Sequence, residues 1–246
     1  MEGALAGLDV WSFAVVAATV AMGAVVQGSI GIGFGIVLVP VLALVAPDTL
    51  PATALLLTLP LAALTAYRER AAIYRPGLPA LFVGRILGTA AAVGLLVVLS
   101  EAALEILFGL VIIGVVGLSV SQPHVPFSRA SQVGAGATSG LFATTAAIGG
   151  PPMALLYQHR PGPELRATLG TIFLLGGALS LGGLVLADRL EVAHAVLALL
   201  LVPAMFAGFL LSRPLARVLD ARWLRPAVLT FAAAGGVLAL VRGLLG

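Results

Sequence analysis

The chain has 246 residues, of which 61% are hydrophobic and only 9% charged, with a net charge of +3. A soluble domain carries roughly 25% charged residues, so a water-facing globule is excluded and no room is left for a soluble catalytic module. Cysteine is absent, which removes disulfides, thiolate metal sites and persulfide chemistry together.

The first apolar segment covers about Val10–Val26. Glu2 and Asp9 precede it where a secretory signal would carry basic residues, so it reads as a mature first helix. Segments follow at Ile30–Ala46, Thr49–Tyr67, Gly77–Leu99 and Ala102–Ser119. Ser100 and Glu101 supply an N-cap and a dipole-complementing acid for the fifth. After the polar, Pro-containing break Ser121–Arg129, a second set runs Ser131–Leu141, Ala146–Tyr157, Arg166–Ala187, Val192–Leu211 and Leu224–Val241. The runs are continuous where the strands of a barrel would alternate, so the spans are helical.

The two sets resemble each other. Gly28-Ser-Ile-Gly-Ile-Gly-Phe-Gly35 leads to Pro40 as Gly140–Gly150 leads to Pro152, and Gly88 with its apolar run matches Gly208. The predicted fold is therefore an all-α integral membrane protein, one transmembrane domain over residues 1–246, built from two repeats of about 10–120 and 131–244. Each repeat is a broken or re-entrant helical hairpin followed by three transmembrane helices.

Arginine placement decides how the hairpins run. All 13 basic residues are arginines. If Val10–Ala46 crossed once as a broken helix, the twelve loop arginines would divide six against six. If the chain turns back at Gln27–Gly35 and again near Gly140–Gly150, ten share one face: Arg68, Arg70, Arg75, Arg129, Arg160, Arg166, Arg213, Arg217, Arg222 and Arg225. Only Arg189 and Arg242 then oppose them, the asymmetry expected of cytoplasmic loops. Length agrees, since the 37 residues Val10–Ala46 make about 55 Å of helix, too long for one crossing. The 27 residues of the second hairpin make about 40 Å, so its arms enter and return without spanning. The repeats are then inverted, and both termini lie outside the cytoplasm, in the cell membrane.

The bends carry the candidate binding groups. Four glycines stand in the nine residues Gln27–Gly35, and the second bend offers Ser139, Gly140, Thr144, Thr145 and Gly149-Gly-Pro-Pro152. Helices broken at membrane depth are tolerated where protein or a wet cavity covers them. Their free N–H groups and positive dipole ends suit an anion. Candidate substrate-binding residues are Gln27, Gly28, Ser29, Gly31, Gly33, Arg85, Ser139, Thr144, Thr145, Gly149 and Gly150. The competing reading is that the glycines only let helices approach closely.

With Gly84-Arg-Ile-Leu-Gly88, Gly136-Ala-Thr-Ser-Gly140 and Arg166-Ala-Thr168, these elements resemble, in order, the TauE/SafE family of membrane permeases, often called sulfite exporters. The resemblance implies transport of sulfite, an organosulfonate or a related small oxyanion. One departure is that Ala143, Thr144 and Thr145 stand where the first bend has Gly31, Ile32 and Gly33.

Arg85 is the lone basic residue well inside a span, either an oxyanion partner through its guanidinium fork or a side chain that snorkels to an interface or packs against carbonyls. Arg166 reads as a topology charge at a helix start. Glu101, Glu105, Asp188 and Glu191 all stand near span ends, against a cation permease or a carboxylate proton relay. His124, His159 and His194 lack metal-ligand spacing. A small anion, the lipid bilayer and a coupling ion, proton or sodium, are the expected partners; a homo-oligomer is compatible, and no cofactor, metal or nucleic acid is implied. Two other classes stand beside the transporter: an intramembrane enzyme with Ser139 as nucleophile and His194 as base, and an assembly or receptor subunit without transport.

Overall fold

The computed structural model describes residues 9–121, 125–215 and 241. Helices α1 (Val10–Ile30), α2 (Phe34–Val45), α3 (Ala52–Arg68), α4 (Leu78–Val98) and α5 (Glu101–Ser121) form the first half. Helices α6 (Arg129–Ala146), α7 (Gly150–Tyr157), α8 (Gly162–Leu186) and α9 (Val192–Leu215) follow, with no strand among the described residues. Among the described residues, four stretches are long and apolar enough to cross a membrane, Val10–Ile30, Arg75–Val98, Gly162–Leu186 and Val192–Pro214, and three shorter apolar helices accompany them. The chain is thus a multi-pass helical membrane protein. The expected tenth span, Leu224–Val241, lies outside the described residues apart from Val241, as do His124, Arg217, Arg222, Arg225 and Arg242.

Asp9 starts α1 by accepting a hydrogen bond from the Ser12 amide at 2.7 Å, and the expected Ser100 cap on α5 forms with the Ala103 amide at 3.4 Å. Helix α1 runs 21 residues, about 31 Å, and ends where Gly31 takes a left-handed conformation, φ 91°. Gly33, φ 117°, then starts α2. The chain reverses there, because Phe34, first residue of α2, lies against Gly23, two turns back along α1. At the far end of α2, the Asp48 carbonyl meets His194 near the start of α9. At the near end, Arg68 closes α3 against the Gly28 carbonyl of α1 and Ser212 of α9. So α1, α3 and α9 run in one direction and α2 returns between them. Its residues Phe34 and Ile36–Leu42 are all buried, as expected of a helix that is hydrophobic all round.

The second hairpin is shorter. Helix α6 spans 18 residues, about 27 Å, and α7 only 8, about 12 Å. Its break falls at the end of the expected Gly140–Gly150 bend: α6 continues through Gly140 to Ala146, and the turn is Ala147-Ile148-Gly149 with Ala147 at φ 56°. Matched on the left-handed residue that closes the first helix of each hairpin, Gly31 corresponds to Ala147; Gly33 and Gly149 then both stand just before the second helix, although only Gly33 is left-handed. The alignment that set Ala143–Thr145 against Gly31–Gly33 is therefore off by a full turn. A four-residue slip keeps every side chain near its own helix face, so apolar periodicity could not detect it.

Three pairings dominate the packing: α4 with α6, α1 with α9, and α3 with α8. At the first, a Cβ on Gly84 would fall on the Val133 carbonyl, one on Gly88 on the Ala137 carbonyl, and one on Gly136 on the Leu81 carbonyl. At the second, Gly208 lies likewise on the Ala21 carbonyl. In lipid, where apolar burial does not distinguish helix from solvent, close backbone contact of this kind supplies the packing energy.

Arg68, Arg70, Arg75, Arg129, Arg160, Arg166 and Arg213 all gather at one end of the bundle. Arg166 pairs with Glu69 at 2.8 Å, and Arg160 lies over the rings of Tyr74 and Phe127. Arg189 is at the other end, in the turn between α8 and α9. Arg166 is not at a helix start as predicted. Helix α8 begins four residues earlier, at Gly162-Pro163, because proline is well accommodated in a first turn.

Candidate functional site

The two breaks touch. A Cβ on Gly35 would fall on the Ala147 carbonyl, and one on Gly150 would stand 3.2 Å from the Ile32 Cβ. Beside this crossing is a cleft of about 440 Å³, counting the open space at its mouth, lined by Gln27, Gly33 and Gly35 from the first break and by Ala143, Ala147, Ile148, Gly149 and Gly150 from the second. Ile36, Leu55, Thr58, Arg85, Phe173 and Gly177 complete the wall.

Arg85 is 1% exposed. Its Nη1 donates to the Ser139 carbonyl at 2.9 Å and to Ser139 Oγ at 2.8 Å, and its Nη2 donates to Ser180 Oγ at 3.4 Å. Ser139 Oγ in turn donates to the Gly149 carbonyl at 2.7 Å, tying the guanidinium to the second break. The side chain fits because Gly176 of α8 leaves bare backbone beneath Nε, an N–H that has no partner. Among the described residues no carboxylate pairs with Arg85. The side chain does not snorkel, being enclosed by α4, α6 and α8, but it does pack against a carbonyl, that of Ser139.

Gln27, 4% exposed, turns its Oε1 to the Phe34 amide at 3.3 Å. Its Nε2 is then presented as a donor and has no partner. The free polar valences in this wall are thus N–H donors, a pattern suited to a ligand that brings acceptors.

Of the eleven predicted site residues, Gln27, Gly33, Arg85, Gly149 and Gly150 line the cleft. Ser139 stands behind Arg85, and Thr144 lies one layer deeper, bonded with Ser180 Oγ at 2.8 Å and Thr89 at 3.3 Å. Thr145 spends its hydroxyl on the Leu141 carbonyl of its own helix. Gly28 and Ser29 face α9, where Ser29 Oγ donates to the Ser212 carbonyl at 3.0 Å. Gly31 lies against Leu165 and Arg166. These last three sit where α1 meets its neighbours at the arginine-rich end. Sequence reasoning missed Gly176 and Ser180 of α8, for which the only signal is a mid-helix Gly176-Gly177 pair.

The suspected Ser139–His194 dyad is not assembled. His194 accepts from the Glu191 amide at Nδ1, 3.0 Å, and its Nε2 lies 3.1 Å from the Asp48 carbonyl at the far end of the bundle. Ser139 is engaged with Arg85 and Gly149.

Crossed helix breaks around a buried cleft, inside a bundle of membrane-spanning helices, define the class: a polytopic membrane protein with an internal site of the kind transporters use. The family profile described as Sulfite exporter TauE/SafE matches residues 15–239, nearly the whole chain. The chain belongs to the TauE/SafE family, whose members are exporter-type membrane transporters. Neither a curated protein nor a solved structure matches it.

Proposed function

We propose that the protein is a secondary transporter for a small anion, such as sulfite, an organosulfonate or a related oxyanion, which binds in the cleft between the two breaks. One observation carries this reading. Arg85 is a fully buried guanidinium whose partners are all neutral. An ionised group in a low-dielectric interior is costly without a counter-charge, and an oxyanion of matching geometry supplies one. The unpartnered Gln27 Nε2 and the N-terminal end of α2, which face the same cleft, add neutral donors, and α7 adds the Gly150 amide, its next two residues being prolines without an N–H.

The two halves are read as inverted repeats. Exchanging α1 with α6, α3 with α8 and α4 with α9 turns the α4–α6 pair into α9–α1 and leaves α3–α8 unchanged, so the three dominant pairings map onto one another. The arginine-rich end is assigned to the cytoplasm by the positive-inside rule, which puts both termini outside it. Coupling to a proton or sodium gradient and assembly as a homo-oligomer belong to the same reading.

Flux into proteoliposomes tests it. Arg85→Gln keeps much of the side-chain bulk and removes the charge. Uptake of sulfite should fall tenfold or more, about 1.4 kcal/mol or above. Wild-type rates from correctly inserted Arg85→Gln protein would remove Arg85 from the site.

A further inference from the structure

We infer that the cleft selects its substrate by charge state, accepting a singly charged oxyanion and rejecting a dianion, so that a titrating substrate must carry its own proton. The inference rests on the anion-transport reading above and adds to it which ionic form is bound.

Among the described residues, Arg85 is the single charged side chain in the cleft wall. Its helix packs against α6 and α8, and the residues they set against it or beside it in the cleft, Gly136, Ser139, Gly140 and Ala143 of α6 and Phe173, Gly176, Gly177 and Ser180 of α8, are all uncharged. The charged groups of those elements stand at the arginine-rich end and are neutralised or remote. Arg166 is held by Glu69 at 2.8 Å and Glu164 by Arg160 at 2.7 Å, while Arg129 opens α6. Helices α1 and α2 contain no charged residue at all, and α3 carries its one charge at its last position, Arg68. Beyond the described part of α9, the sequence has no charged residue from 226 to 241.

The wall therefore holds one fixed positive charge plus neutral donors. A monoanion beside Arg85 makes a neutral pair. A dianion would leave one negative charge uncompensated in a site enclosed by apolar helices, and neutral N–H donors do not cancel net charge. Among the described residues no carboxylate or imidazole lines the cleft to take up a proton on the substrate's behalf. Charge selection then falls to the substrate's own acid–base equilibrium.

The test uses the full chain in proteoliposomes, with equal pH on both faces and three probes. Methanesulfonate is a fixed monoanion and sulfate a fixed dianion, whereas sulfite passes from one form to the other near neutrality. Between pH 6 and 8.5, methanesulfonate should compete for transport with constant apparent affinity, and sulfate should be at least tenfold weaker throughout. Sulfite should weaken as pH rises, approaching tenfold per unit once its dianion dominates. Sulfate competing as well as methanesulfonate, or sulfite strengthening with pH, overturns the inference while leaving anion transport intact. Failure of all three to bind or move would overturn anion transport itself, and the charge selection with it.

Discussion

At Gly176 the bundle brings bare backbone against the Arg85 guanidinium, so that a single added carbon would overlap Nε. Gly176→Ala is therefore expected to displace the arginine and cut flux as severely as Arg85→Gln, with insertion and yield unchanged; a wild-type rate would show that the guanidinium does not need its present position. Gly149→Val acts on the same group from the other side, since even the first added carbon would stand 2.8 Å from Ser139 Oγ and 3.0 Å from Arg85 Nη1. At Gly31 the obstacle is different. Its φ of 91° disfavours any side chain, and Leu165 and Arg166 fill the space besides. Gly31→Val should abolish transport through a misplaced break, read as a lower melting temperature than Gly149→Val gives. Arg85 could be found from the sequence because a charge in mid-span is rare enough to need a reason. Ser180 and Gly176 could not, because serine and glycine are ordinary in packed membrane helices.

The end of α1 illustrates how an element is held where its own hydrogen bonds run out. The last carbonyls of a helix lack intrahelical donors. Here Arg68 of α3 donates to the Gly28 carbonyl, and Arg166 of α8 to the Ser29 carbonyl at 3.3 Å. Glu69 steadies Arg166 through Nε and Nη2 at 2.8–3.1 Å. Both partners are about a fifth exposed, so screening holds the pair to a coupling of up to about 1 kcal/mol. A double-mutant cycle of Glu69→Gln with Arg166→Gln, read by thermal unfolding in detergent, should return that size and sign. A coupling near zero would mean that the carbonyl contact alone holds Arg166. The first break was legible because glycines mark it at both left-handed positions, Gly31 and Gly33. The second could be bounded only to Gly140–Gly150 because its left-handed residue is Ala147, which nothing in the sequence distinguishes. Gly140, read as part of the bend, is a seam glycine against the Arg85 carbonyl and the Thr89 amide.

At the scale of the whole molecule, charge is what made the architecture readable. Counting arginines favoured two reversals over two straight crossings, and the chain does reverse at both breaks, collecting seven described arginines at one end and Arg189 at the other. Which end faces the cytoplasm follows from the membrane and not from the fold. Reporter insertions between Arg70 and Arg75 and at Arg189 should localise to opposite faces, the first cytoplasmic. A reporter at Gly246 should share the face of Arg189, and finding it with Arg70 would sink the topology.

The glycine seams also set how the molecule can deform. Where backbone rests on backbone, as between α4 and α6 or between α1 and α9, sliding by even one side chain's width drives carbonyls into α-carbons. Each pair must travel as a single stiff strut. Arg85 and Ser139 ride on one strut and Gln27 on the other, with the cleft as the joint between them. On the transport reading proposed above, any stroke that lets the anion out shears along that joint, pulling the amide away from the guanidinium. On that reading the grip on the anion and the hinge of the machine are the same few ångströms of protein.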